Sequence, residues 1–379
     1  MSLTSESYVV RSADGPVTLE TIHYDQIGDR ELFVRVVAFS VCGSDVKAAE
    51  GRFFMEPPMI LGHEGAGVVE QVGALVTAFQ PGDKVVLHYS SCGSCEPCAS
   101  GDTAYCADMK ELNWGGIRHG HSSKPSSSVE PIATTTDGTP LKPFFFGQSS
   151  MGRHALVKET SAVKVDATEE ELKLFASLSC GVQTGAGAVV NVCKPSAGKS
   201  FAIFGAGAVG LAAALAAGLY APAHVIVVNR SRDKLDLIPS GIATHTICSA
   251  GYAKGGVAAE IRKLTGGKGV DFVIDCAGHG SVIEEGVAAL KYKGMVVGAG
   301  GGPAPAMLSI SHMLAGGFTY RGTHQGDAVP HNFIPYMVNL WRTGRFPVDK
   351  LVTYYPIEGL HQALADLRSG KVLKPVLIP

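Results

Sequence analysis

The sequence predicts a mixed α/β protein in two parts, a β-rich part of barrel type followed by a doubly wound parallel sheet. Up to about residue 180 the chain reads as short strands punctuated by Gly, Pro and Ser. From about 181, apolar strands alternate with helical patterns, which implies a parallel sheet with right-handed crossovers. With 379 residues, 46% hydrophobic and 17% charged, the chain has enough apolar material for two cores.

In the first part, segment 31–38 alternates at period two around Phe33 and Arg35 and then becomes a buried run. Segments 67–72 and 84–88 are further strands, separated by the turn Pro81-Gly82-Asp83. Residues 115–142, rich in Gly, Ser, Thr and Pro, are expected to be an exposed loop in which His119 and His121 are solvated rather than ligating. In the second part, strands are predicted at 200–204, 225–228, 244–248, 270–275 and 295–298, with helices at 208–219, 233–237, 257–264 and 281–290. A helix at 332–343, a strand near Val352, a helix at 358–369 and a strand at 372–378 close the chain.

The net charge of −2 gives no electrostatic reason to expect nucleic acid or an anionic membrane as partner. The first residues lack a basic region followed by an apolar one, so no secretory signal is expected. The apolar stretch 201–228 is broken by glycines, Pro222 and His224 and reads as core rather than a membrane span. Nine cysteines in such a chain suggest metal binding in a reduced, cytoplasmic setting rather than a disulfide framework.

Cys92, Cys95 and Cys98 share two-residue spacers, and Cys106 follows after a seven-residue gap. Such spacers turn successive thiolates toward one centre, and a fourth completes a closed tetrahedron, as at a structural zinc. The long gap and the lack of a following Pro argue against an iron–sulfur cluster. Three separated segments, around Cys42, His63 and Cys180, are individually weak signals. Together they offer two thiolates and one imidazole, a catalytic zinc set with its fourth position open. An open zinc polarises a carbonyl or acidifies an alcohol. Asp45 is expected to accept from the other ring nitrogen of His63. Glu64 either faces the metal from behind or is a buried carboxylate paired with an arginine.

Gly205-Ala-Gly207-Ala-Val209-Gly210 follows a predicted strand and opens a predicted helix, the context in which glycines admit a dinucleotide pyrophosphate. The next strand ends at Asn229 where an acid would read the ribose 2′-hydroxyl, and Arg230 and Arg232 follow. Loss of the acid and gain of two guanidinium groups predict NADP(H) over NAD(H).

These motifs resemble the medium-chain, zinc-containing alcohol dehydrogenases across essentially the whole chain, including the 21-residue step from Cys42 to His63. Phe145-Phe-Gly-Gln-Ser-Ser150 and Gly181-Val-Gln-Thr-Gly-Ala-Gly187 resemble the aryl/benzyl alcohol dehydrogenase branch. The resemblance implies a GroES-like catalytic domain (1–182 and 325–379) interrupted by a Rossmann domain (183–324). It implies two zinc ions per subunit, a catalytic one on Cys42, His63 and Cys180 and a structural one on the four-cysteine cluster. It places Ser44 at the start of a proton relay, Thr184 and Val209 near the nicotinamide, and Arg368 at the pyrophosphate.

Three positions depart from the family pattern. Lys47 stands where a histidine often ends the relay, and an ammonium is a poor base, so the relay is expected to end in water or Lys47 to be a surface residue. Gly43 replaces a basic residue on the pyrophosphate. His88, with Phe53, Phe145 and Phe146, is expected to shape a pocket for a polar aromatic or cyclic substrate. The expected function is hydride transfer between a small alcohol or aldehyde and NAD(P)(H), by a homodimer or homotetramer. A zinc-assisted reductase of conjugated C=C bonds, a glutathione-dependent formaldehyde dehydrogenase-like enzyme and a non-catalytic zinc- and dinucleotide-binding protein are the alternatives.

Overall fold

A computed structural model describes residues 3–118 and 131–379. His119 and His121 lie outside the described residues. Among the described residues three sheets carry the fold. The hairpin Leu3–Val10/Val17–Tyr24 is the centre of a five-stranded sheet. A seven-stranded sheet surrounds Glu31–Ser40, which pairs antiparallel with Gly65–Val72 and with His154–Lys158. Its ten residues are nearly all buried because the strand is covered on both faces. The chain's last strand, Lys374–Ile378, returns to this sheet beside Glu31–Ser40, with Val352–Pro356 parallel to it on the other side.

The third sheet is six-stranded and wholly parallel, in the order His245–Cys248, His224–Asn229, Ser200–Phe204, Val270–Asp275, Leu290–Gly298, Thr319–Gly322. The expected strands and their intervening helices are present within a few residues, although Leu290–Gly298 begins earlier and the edge strand Thr319–Gly322 carries no strong apolar pattern. The expectation of one exposed loop over 115–142 is corrected. Ala133–Thr135 and Pro140–Leu141 are short strands of the five-stranded sheet, with Ala133 and Leu141 in its core. Two apolar side chains in a Thr- and Gly-rich stretch suffice to dock it, and they leave little periodic signal.

Ser200–Phe204 is fully buried and turns directly into the helix Ala208–Gly218. Gly205 takes φ +113°, and a Cβ on Gly210 would lie 1.8 Å from the Gly205 carbonyl oxygen. That contact is backbone on backbone, so it cannot relax by side-chain motion. Gly207 has nothing within 4 Å of its Cβ position and φ −95°, so its side faces open space. The helix Gly181–Gly187 crosses this turn closely, since a Cβ on Gly185 would meet the Val209 carbonyl at 1.9 Å. The crossing joins the parallel sheet to the segment that carries Cys180.

Two substitutions in the same motif are expected to behave oppositely in thermal unfolding. Gly210→Ala should cost about 3 kcal/mol through the forced backbone shift, and Gly207→Ala should stay within about 0.5 kcal/mol of the parent. Equal melting temperatures for the two variants would contradict this packing.

Candidate active site

Cys42, His63, Glu64 and Cys180 each offer one ligating atom, all within 4.8 Å of one another. Cys42 immediately precedes the helix Gly43–Ala49 and Cys180 the helix Gly181–Gly187. Their sulfurs are 4.0 Å apart, close to the roughly 3.8 Å that two 2.3 Å bonds at a tetrahedral angle require. His63 Nδ1 meets Asp45 Oδ1 at 2.9 Å, and Asp45 Oδ2 accepts the Cys42 N–H at 3.0 Å. One carboxylate therefore holds both the His63 ring and the start of the helix that follows Cys42. The Nε2 of His63 is fully buried with no partner and faces the two sulfurs. An orphaned imidazole nitrogen beside two thiols fits a soft divalent cation such as zinc.

Burial disfavours a charged His63, but Asp45 and Cys42 outweigh it and hold its pKa well above the usual imidazole value. A hydrogen bond from Cys180, together with His63, holds Cys42 well below the usual thiol range. Glu64 is fully buried, and its carboxylate accepts the Gly181 N–H at 3.1 Å and pairs with the ammonium of Lys374. Burial pulls Lys374 down, yet Glu64 and Cys42 keep its pKa above the ordinary lysine value. The expected arginine partner of Glu64 is thus a lysine from the last strand. Nothing in the local sequence of either residue points to the other, since they are 310 positions apart.

Ser44 is half-buried in the first turn of Gly43–Ala49, and Lys47, three residues on, is exposed. Thr184 is buried in the first turn after Cys180, and its N–H donates to the Cys180 carbonyl at 2.8 Å. Val209 approaches the same helix, with Cγ2 3.6 Å from the Cβ position of Gly181. Gly43 has open space around it.

The Phe145–Ser150 motif packs around His63. Phe146 stacks on the His63 ring at 4.6 Å and Phe145 meets it edge-on at 5.5 Å. Phe53 contacts both phenylalanines, at 5.6 and 6.0 Å. Phe144, Phe146 and Ser149 all have positive φ, a strained conformation of the sort that clusters at sites. Gln148, absent from the sequence-based site, donates to the carbonyls of both His63 and His88 and accepts the Gly65 N–H. His88 stands apart from the phenylalanine group. Its ring meets Tyr89 and His331 at 5.5 and 5.4 Å, and both its nitrogens are buried without partners.

Gly205, Gly207, Asn229 and Arg230 line a cleft of about 770 Å³. Asn229 spends its amide locally, with Oδ1 accepting the Ala206 N–H at 3.4 Å and Nδ2 donating to the Ser231 carbonyl at 3.1 Å. Lys234, which sequence reasoning passed over, joins Arg230 on the cleft wall, and Arg232 is exposed at the start of the helix Arg232–Asp236. Arg368 pairs with Glu50 at 3.7 Å and lines a smaller cavity beside Asp45 and Val46.

Away from this site, Cys92, Cys95, Cys98 and Cys106 also converge within 4.8 Å. Their sulfurs accept N–H donors from Cys92, Cys95 and Ala107 at 3.2–3.4 Å. That is the environment thiolates need when buried around a cation.

Residues 28–166 match the alcohol dehydrogenase GroES-like domain family, and residues 208–342 the zinc-binding dehydrogenase family. A geraniol dehydrogenase from Castellaniella defragrans is 35% identical over 378 residues, which is 99% of this chain and 98% of that protein. The crystal structure of an alcohol dehydrogenase zinc-binding domain protein from Burkholderia ambifaria is 40% identical, with a TM-score of 0.91 and full coverage of both chains. The benzyl alcohol dehydrogenase of Acinetobacter calcoaceticus is 33% identical, with a TM-score of 0.88 and 99% coverage of each chain. Family matches in both halves and a relative aligned along nearly the whole length make this chain a member of the zinc-containing medium-chain alcohol dehydrogenases, zinc-dependent oxidoreductases acting on small-molecule alcohols.

Proposed function

We propose that the protein interconverts an alcohol and its aldehyde, using NADP(H) in preference to NAD(H), with one catalytic and one structural zinc per subunit. The observation that carries the reading is the buried, unpartnered Nε2 of His63 facing the sulfurs of Cys42 and Cys180. When bound, the zinc would supply Lewis acidity and the nicotinamide the capacity for hydride transfer. Asp45 sets the tautomer and direction of His63. The Ser44 hydroxyl passes the substrate proton outward, and the exposure of Lys47 supports a relay that ends in water. Phe145, Phe146 and Phe53 exclude water from the His63 side. Those rings, and the names of the geraniol and benzyl alcohol relatives, support an alcohol whose reacting carbon adjoins a π-system, aromatic or cyclic substrates included.

NADP(H) preference rests on the absence of a carboxylate at position 229 and on Arg230 and Lys234 at the cleft wall. Arg232 would serve only by swinging inward from the surface. Domain limits near 182 and 324 are supported by the change of sheet on either side. A homo-oligomer is supported by the edge strand Thr319–Gly322, which is exposed along its length, and by Ile310 and Leu314, exposed at 86% and 82%. Among the described residues no helix is long and apolar enough to cross a membrane.

Metal analysis checks the two-site assignment. The parent should hold two zinc ions per subunit, and Cys42→Ala or Cys180→Ala should hold one and lose turnover. Either variant with full activity would reject it. Steady-state kinetics check the cofactor assignment. NADPH should give the higher kcat/KM, and Asn229→Asp should move the ratio toward NADH by at least about ten-fold; a parent enzyme more efficient with NADH would contradict it. For the buried pair, Lys374→Met should cost about 3–5 kcal/mol because it leaves Glu64 uncompensated, and adding Glu64→Gln should restore much of that. Chemical denaturation reads both, and an unchanged midpoint for Lys374→Met would contradict a stabilising role for the pair.

A further inference from the structure

The short segment between the strand Thr319–Gly322 and the helix Pro330–Arg342 runs between the two cysteine sites. Its backbone enters the left-handed region three times in succession, at Gln325 (φ +54°), Gly326 (+67°) and Asp327 (+48°). Two of these residues carry a Cβ, so the conformation must be imposed from outside. Several contacts impose it. Gly187 backs onto Gly326 so closely that a Cβ there would lie 2.3 Å from the Gly326 carbonyl oxygen. The amide of Asn191 donates to that same carbonyl at 2.9 Å. The Asp327 carboxylate gathers the Tyr105 hydroxyl at 2.7 Å, the Thr323 hydroxyl at 2.6 Å and the Arg321 guanidinium at 2.5 Å.

Tyr105 immediately precedes Cys106, so this carboxylate is tied to the four-cysteine lobe. Two more bonds reinforce the tie, from the Tyr89 hydroxyl to the Ala328 carbonyl and between His324 and the Ala104 carbonyl, both 2.8 Å. The result is a buried Gln325 whose Nε2 lies 3.8 Å from the sulfur of Cys180. Gln183 donates to Gln325 Oε1 at 3.3 Å, which turns the NH₂ group toward the sulfur.

We propose that Gln325 is a positioning residue for the open metal site, donating an N–H to the Cys180 sulfur, and that the Tyr105–Asp327 bond makes this donation depend on the order of the four-cysteine lobe. The inference rests on the reading of Cys180 as a metal ligand. An N–H donor withdraws electron density from a thiolate and fixes its direction, so it tunes both the strength and the geometry of the metal–sulfur bond. The link also gives the distant lobe a consequence at the reaction centre without any contact to substrate.

The test replaces the catalytic-site metal of the intact enzyme with Co(II) and records the thiolate-to-cobalt absorption bands. Gln325→Leu should move these bands to longer wavelength, because a sulfur without its donor gives up electron density more readily. It should also speed removal of that cobalt by a chelator about ten-fold, because loss of the contact that fixes the sulfur's direction outweighs its stronger donation. Tyr105→Phe, a change at a residue 43% exposed, should shift the bands in the same direction by less, with the metal content of the four-cysteine lobe unchanged. Bands and chelation rates identical to the parent in both variants would overturn the proposal. A parent enzyme that takes up cobalt without any thiolate band would instead overturn the ligand reading beneath it.

Discussion

Holding two sulfurs, an imidazole and a carboxylate within 4.8 Å of one another, with all but the half-buried Cys42 buried, is the constraint on which the rest of this protein depends. Left to themselves these groups repel or take up protons. Each carboxylate is accordingly given a defined job. Asp45 spans His63 and the Cys42 N–H, so the first turn of Gly43–Ala49 and the ligand ring move together. Glu64 spans Gly181 and Lys374, so the start of the Cys180 helix is tied to the last strand of the chain. A buried ion pair is weak support for stability in general, because desolvation offsets its Coulomb gain. Its geometric effect is plain: it ties the last strand to the residue next to His63 and to the residue next to Cys180.

The second constraint is the close crossing of Gly181–Gly187 over the glycine turn. Gly185 lies against the Val209 carbonyl and Gly210 against that of Gly205, so the segment that follows Cys180 and the glycine turn are packed backbone to backbone. Hydride transfer demands donor and acceptor carbons at near-contact distance, and a loose joint between the two parts would forfeit that proximity. Small residues at this crossing therefore permit a packing that the proposed chemistry would require. The helix Ala208–Gly218, whose buried face is mostly alanine, extends the same close approach into the core.

Much of this was legible in the sequence because the signals are local or come in pairs. Gly205, Gly207 and Gly210 sit between a strand and a helix, and four cysteines fall within one short loop, so spacing alone assigns them a geometry. The Asp45–His63 bond was legible from the need of a ligand imidazole for an acceptor on its far side. Lys374, Gln148 and Gln325 were not. Each is a polar residue in an ordinary strand or loop, and its role exists only after the chain has folded back on itself. Lys234 was passed over for Arg232 because a sequence shows that charges are near a turn but not which side of a short helix they occupy. His88 was grouped with the phenylalanines by position, yet the strand end sends its ring toward His331.

The proposed catalytic centre has three protein ligands, Cys42, His63 and Cys180, and one free side. Diffraction from zinc-loaded crystals, measured on both sides of the zinc absorption edge, addresses it directly. The predicted result is an anomalous peak about 2.3 Å from the sulfurs of Cys42 and Cys180 and about 2.0 Å from Nε2 of His63, with its fourth side open to solvent. No peak at that point, or a peak whose fourth side is closed by the Glu64 carboxylate with and without substrate, would contradict it.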